Sequence, residues 1–144
     1  MVRKHIFFGL ATGTATVPDQ VTGLVSTSLA QTAIGLSWAA PPDGGSAIVN
    51  YLVEYRTGTA PFAAFAHTAS TATSLTVTGL SASTPYDLRV SAINGVGTGA
   101  PMDLAVTTPS PGPVALDYDD TSNMVYLTPA SGTTAADYGS ELIA

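Results

Sequence analysis

The chain of 144 residues contains no cysteine. That removes disulfide frameworks, thiolate metal sites and cysteine nucleophiles together. Charge is scarce as well, with four Lys/Arg against ten Asp/Glu and a formal net charge of −6. Four bases cannot neutralise a run of phosphates, so no nucleic-acid partner is expected. A charged fraction of 10% beside 45% hydrophobic residues lies far from the composition of disordered chains. No apolar run reaches the roughly 18 residues of a membrane-spanning helix, so no membrane partner is expected either. Nor does any segment show a 3.6-residue apolar period, which predicts almost no helix. What is abundant is Ala and Thr, roughly a third of the chain, in a length that suits one domain with residues to spare.

Ten prolines punctuate the sequence at intervals too short for long helices. Between them lie short runs in which apolar and polar residues alternate, the period of half-buried strands. In Ile34-Gly35-Leu36-Ser37-Trp38 the apolar residues share one face. In Val49–Arg56 the alternation predicts Val49, Tyr51, Val53 and Tyr55 inward, with Glu54 and Arg56 outward. Ser74–Thr78 is a further strand. In Tyr86–Ala92 each charge stands on the face opposite Tyr86, Leu88, Val90 and Ala92. Strands at this spacing, separated by turn signals, indicate an all-β sandwich.

Several of these residues, taken in order, form a recognisable pattern. Pro18 and Gly23-Leu24 stand where a first strand would lie. Leu36-Ser37-Trp38 precedes the loop Pro41-Pro42-Asp43-Gly44-Gly45, and Ile48–Arg56 follows. Leu80-Ser81-Ala82-Ser83-Thr84-Pro85-Tyr86 has the spacing of a tyrosine corner, and Val90–Asn94 runs into a Gly-rich turn. Residues 17–108 therefore resemble a fibronectin type III domain. The resemblance implies an immunoglobulin-like sandwich of about seven strands, with Trp38 and Tyr51 in the core and the Tyr86 hydroxyl tied back to backbone near Leu80. Gly95, Gly97 and Gly99 are expected to supply positive φ in the turn before the last strand. The Arg-Gly-Asp tripeptide that some members carry in that turn is absent, because the turn reads Asn94-Gly95-Val96-Gly97-Thr98-Gly99.

Two extensions flank the module. Residues 1–16 begin with the basic Arg3 and Lys4 and the apolar Ile6, Phe7 and Phe8. The apolar stretch is short and broken by Gly9, so a structural arm is expected here and not a secretory signal. Residues 109–144 open with the stiff Pro109-Ser110-Pro111-Gly112-Pro113 and continue as an expected hairpin, Val114–Tyr118 with Met124–Thr128. The arm carries no acid and the tail carries Asp117, Asp119, Asp120, Asp137 and Glu141 but no base. This asymmetry favours contact between arm and tail, or between neighbouring copies.

Candidate chemistry is thin. His5 and His67 stand in unrelated segments, and the patterns of zinc hydrolases and serine triads are missing. Gly95-Val96-Gly97-Thr98-Gly99 lacks the spacing, lysine and helix of a phosphate loop. Asp117, Asp119, Asp120 and Asn123 lack the spacing of a calcium loop. A small sandwich is expected to offer no cleft for paired carboxylates. No enzymatic activity, metal or cofactor is expected. Partner binding is assigned instead to Arg3, Lys4, Ile6, Phe7, Phe8, Phe62, Phe65, Tyr118, Tyr126 and Tyr138. Modules that resemble fibronectin type III domains occur on tailed bacteriophage particles, and Asp137-Tyr138-Gly139-Ser140 is similar to short repeats in such proteins. The resemblance thus implies a virion structural protein, capsid decoration before tail fibre, in a homo-oligomer or array with capsid, collar or tail subunits. A secreted module that binds carbohydrate or mediates surface adhesion, with an extracellular location, is the alternative.

Overall fold

The computed structural model describes residues 13–112 and, beyond them, the backbone of two strands at 115–119 and 124–128. Residues 1–12 of the arm assigned above, and the tail beyond residue 128, lie outside the described residues.

Seven strands form the module: β1 (Thr22–Ala30), β2 (Ala33–Ala39), β3 (Ile48–Arg56), β4 (Ala63–Ala64), β5 (Ser74–Thr78), β6 (Pro85–Asn94) and β7 (Met102–Thr107). They pair antiparallel into a three-stranded sheet, β1-β2-β5, and a four-stranded sheet, β4-β3-β6-β7. Two further strands, β8 (Ala115–Asp119) and β9 (Met124–Thr128), pair only with each other. The expected hairpin is therefore present. No helix occurs among the described residues. The first strand starts at Thr22, later than Pro18, because residues 17–21 run past the loops of the upper pole before joining a sheet.

The inner faces meet in one apolar layer. Ile34, Leu36 and Trp38 from β2 face Tyr51 and Val53 from β3, and Leu88, Val90 and Ala92 from β6, all buried. Trp38 meets Tyr51 edge-on, with ring centroids 5.1 Å apart and planes at 66°. Each of the branched aliphatic side chains among them contributes about 1.5–3 kcal/mol on leaving water. Val49 departs from the predicted alternation. A bulge between Ile48 and Asn50 in the β3–β6 ladder shifts the phase by one residue. Ile48 consequently packs on the core, while Val49 is 55% exposed.

Side chains close both poles. At the lower pole the Ser81 amide donates to the Tyr86 hydroxyl at 2.9 Å. The buried Thr108 hydroxyl donates to the Ser81 carbonyl at 2.7 Å and accepts from the Thr84 amide at 3.0 Å. At the upper pole Asn94 uses its whole hydrogen-bonding capacity. Its Nδ2 donates to the Thr16 and Asp43 carbonyls at 2.7 and 2.8 Å, and its Oδ1 accepts from the Val96 and Gly97 amides at 2.8 and 3.0 Å. One buried amide thus joins the N-terminal segment, the β2–β3 loop and the β6–β7 turn. The glycines of that turn act otherwise than expected: Gly95, Gly97 and Gly99 are not among the residues with positive φ. What Gly99 supplies is room, since a Cβ there would collide with the Pro18 carbonyl oxygen. At this pole the left-handed positions lie in the β2–β3 loop, at Gly44 (φ 68°) and Gly45 (φ 84°).

Three substitutions separate these contributions in urea unfolding. Leu36→Ala is expected to cost about 2–5 kcal/mol through lost transfer energy and a residual cavity. Asn94→Ala is expected to cost about 1–3 kcal/mol by leaving buried backbone groups unpaired. Val49→Ala is expected to stay within about 0.5 kcal/mol, and a larger loss would contradict the phase shift at the bulge.

Candidate functional site

The outer face of the four-stranded sheet gathers most of the charge that the module possesses. Strand alternation sends Glu54 and Arg56 of β3, Asp87 and Arg89 of β6, and Asp103 of β7 to the side away from the core. Register then sets acid against base, because Glu54 stands opposite Arg89, Arg56 opposite Asp87, and Arg89 opposite Asp103. Arg89 grips Glu54 with two hydrogen bonds, Nε to Oε2 at 2.6 Å and Nη2 to Oε1 at 3.0 Å. Arg56 Nε meets Asp87 Oδ2 at 3.0 Å. The hydrogen bonds to Glu54 raise Arg89 above its ordinary range, desolvation opposes them, and the charges of Glu54 and Asp103 add to them. A raised guanidinium keeps its charge across all working pH, so this face does not switch by losing the Arg89 proton.

Phe62, in the β3–β4 connection, lies over both bases. Its ring centroid is 4.4 Å from the Arg56 Cζ and 4.0 Å from the Arg89 Cζ. Beside this stack the surface sinks into a hollow of about 310 Å³, lined by Arg56, Phe62, Asp87, Arg89, Pro101, Asp103, Leu104 and Ala105. The expectation of a sandwich without a cleft is corrected to that extent. The lining includes no Ser, Thr, Tyr or His, so no hydroxyl nucleophile or imidazole base faces the space. Among the described residues, Asp103 is the acid of this group that forms no ion pair within 4.0 Å. The lining itself balances two bases with two acids, and Glu54, just outside it on the same face, takes up Arg89, so the Asp103 carboxylate is left without an ion pair beside Phe62 and the apolar Pro101 and Leu104. Such a surface suits a segment that brings a cation and an apolar side chain together.

The residues assigned to partner binding from sequence fall into several places. Phe62 belongs to the hollow. Phe65, three residues on, instead packs on the core edge-on to Tyr55, with centroids 6.5 Å apart, and its amide donates to the Val53 carbonyl at 2.8 Å. Tyr118 and Tyr126 occur in β8 and β9, where Tyr118 stands opposite Val125 and Asp117 opposite Tyr126. Arg3, Lys4, Ile6, Phe7, Phe8 and Tyr138 lie outside the described residues. Arg56, Arg89 and Asp103 were not singled out, although alternation had already placed Arg56 and Arg89 on an outer face. What alternation cannot give is the strand pairing that brings them together. His67 sets its two ring nitrogens 2.9 Å from the carbonyls of Thr68 and Tyr51, which makes it a strut between chain segments. Among the described residues no three His, Asp or Glu side chains converge as metal ligands.

Phe62→Ala is expected to lower stability by about 1–2 kcal/mol, the sum of two half-exposed cation–π contacts. Thermal unfolding at low and high salt checks this. Arg89→Lys is expected to lose the two-pronged grip on Glu54 while unfolding with the same cooperativity.

Comparison with known proteins places this geometry. Residues 19–108 match the family model of the fibronectin type III domain. The chain is 36% identical over 83 residues to mouse (Mus musculus) Protein sidekick-2, covering 57% of this chain and 4% of that protein. It is 38% identical over 68 residues to human (Homo sapiens) Protein sidekick-1, covering 46% of this chain and 3% of that one. The chain thus spans only a few per cent of the length of these relatives. Among solved structures, domains A168–A170 of titin align with a TM-score of 0.61 and 32% identity over 67% of this chain and 34% of theirs. The twitchin kinase region of C. elegans aligns with a TM-score of 0.62 and 28% identity over 73% of this chain and 19% of its own. A family match over well more than half the chain, on a sandwich with the strand order and tyrosine corner described above, makes this chain a member of the fibronectin type III domain family.

Proposed function

We propose that the chain is a non-enzymatic protein-binding module that takes up a partner segment in the hollow between β3, β6 and β7. The observation that carries this reading is the convergence of Arg56, Arg89, Asp87 and Asp103 around Phe62 on one outer face. A partner with a basic side chain beside an apolar one would pair with Asp103 and rest against Phe62 and Leu104. A polysaccharide suits this surface less well, because Phe62 is engaged by two guanidiniums and is not a free platform for a sugar ring. An extracellular setting goes with this reading, and a fold that contains no thiol tolerates an oxidising compartment. The virion reading, with capsid, collar or tail subunits as partners, takes second place. Its support is the charge asymmetry of the two extensions, while the matched relatives and structures named above carry no sign of a virion.

The test pans the immobilised full chain against a displayed random dodecapeptide library and, in parallel, incubates it with insoluble chitin and cellulose. Enriched peptides are expected to combine Lys or Arg with an aromatic or aliphatic residue, and Asp103→Lys is expected to weaken them at least tenfold. Retention on either polysaccharide, or peptides indifferent to Asp103→Lys, would overturn the reading.

A further inference from the structure

The charges of the outer face form a lattice with one corner missing. On that side of the four-stranded sheet β3 presents Glu54 and Arg56, β6 presents Arg89 and Asp87, and β7 presents Asp103 and Ala105. Register lays them in two rows, with Glu54, Arg89 and Asp103 in one and Arg56, Asp87 and Ala105 in the other. Along each strand and across each pairing the sign alternates, acid beside base, until the second row ends at Ala105. Alternation asks for a base there, opposite Asp87 and two residues from Asp103 on the same strand. Ala105 is exposed, and its methyl group leaves the corner open. It also lines the hollow, together with Asp87, Pro101 and Asp103.

Bonding within the face leaves that corner unsatisfied. Arg89 makes both its hydrogen bonds to Glu54 on β3, so Asp103 on its other side accepts none among the described residues. Arg56 donates its Nε to Oδ2 of Asp87, which leaves Oδ1 without a donor. Phe62 lies over both guanidiniums. The two bases are thus committed toward β3 and Phe62, and the carboxylates nearest Ala105 face open space. Neighbouring strands lie about 4.8 Å apart, and alternate residues of one strand about 6.7 Å apart. One cation above Ala105 would therefore be within reach of Asp87 and Asp103 together. Among the described residues no third acid or imidazole converges on them, so the donor set falls short of what a calcium or zinc ion takes. A guanidinium or ammonium on a methylene stem fits better, since Pro101 and Phe62 offer apolar wall to the stem.

We infer that the open corner above Ala105 is the seat of a basic side chain from the partner, which completes the lattice by pairing with Asp87 and Asp103. The inference rests on the binding role proposed for the hollow and fixes where in it the partner's charge is read. Ala105 determines specificity by being small. It leaves the chain's own surface one base short, and a partner that brings the base closes the pattern. An acidic or uncharged segment leaves both carboxylates unmatched and is disfavoured. Salt weakens the contact, because both carboxylates are at least partly open to solvent.

A base placed at the corner within the chain tests the vacancy without any ligand. Ala105→Lys is expected to raise the urea midpoint of the full chain above that of Ala105→Gln, a substitution of similar length without charge. The difference is expected to shrink at high salt and to fall when Asp103→Asn is added to both. No difference, or one untouched by Asp103→Asn, overturns the seat. Binding is read from the amide NMR shifts of the isotope-labelled full chain, titrated with acetyl-Lys-Leu-amide and with the uncharged acetyl-norleucyl-Leu-amide. The lysine peptide is expected to move the Asp87, Asp103 and Ala105 resonances, and the uncharged one is not. Its affinity is expected to fall about fivefold in Ala105→Lys, the effect of one partly exposed ion pair. Equal shifts with both peptides, or shifts unchanged in Ala105→Lys, overturn the seat while sustaining the hollow as a binding surface. A difference between the lysine and glutamine variants with no shift from either peptide overturns the binding reading itself, and the seat with it.

Discussion

The T-shaped contact between the Trp38 and Tyr51 rings joins the two sheets, and the outer surface depends on it. Trp38 comes from the three-stranded sheet and Tyr51 from the four-stranded one, so their contact fixes the separation across which the other core residues interdigitate. It has a cost: the Trp38 indole nitrogen is buried without a hydrogen-bond partner. An unpaired buried donor costs about 1–3 kcal/mol, which the area buried by two large rings offsets. Once Tyr51 faces inward, Val53 and Tyr55 must follow, and Glu54 and Arg56 must face out. The direction of the charged face is therefore a consequence of core packing and requires no separate determinant.

Scarcity gives that face its character. Between residues 13 and 112 there are seven charged side chains, and Glu54, Arg56, Asp87, Arg89 and Asp103 are five of them. In a module otherwise rich in Thr, Ser and Ala, these five concentrate the charge on one face, which is why the proposed recognition is placed there. Exposed ion pairs contribute little to stability, generally up to about 1 kcal/mol each. Their more important effect here is geometric. Glu54 and Asp87 hold the two guanidiniums at fixed positions under Phe62, so the hollow keeps its shape with little side-chain entropy left to lose on binding.

Much of the fold was legible in the sequence because the alternation of Ile34, Leu36 and Trp38, and of Tyr86, Leu88 and Val90, has the period of a strand with one buried face. The tyrosine corner was legible because its hydrogen bond closes over five residues, from Tyr86 to Ser81. Two features were not. The phase of Val49 depends on a bulge, a property of the pairing with β6 that does not appear in the local pattern. The meeting of Arg56 and Arg89 over Phe62 joins residues 33 positions apart through strand register, which alternation leaves open. Phe62 and Phe65 illustrate the same limit. They lie three residues apart in an Ala-rich segment, yet one packs on the core and the other on two guanidiniums, because the short β4 pairing fixes Phe65 alone.

The two poles show why the proposed binding surface lies on a face of this sandwich and not on its loops. Loops are where a rigid scaffold most often carries its binding residues. Here the loop ends are spent on internal bonds. Asn94 satisfies groups from three upper segments, and Thr108 with Tyr86 does so at the lower end. Gly99 draws the β6–β7 turn against the Pro18 carbonyl too closely for any larger residue to project there. Loops held in this way have few polar groups free and little freedom to adapt to a ligand. What strand geometry leaves without an ion pair is the Asp103 carboxylate beside the Phe62 stack, the group on which the proposed recognition rests. A domain that is short of charge thus gathers its few ionised side chains on one sheet face, where strand register and not loop sequence sets their arrangement.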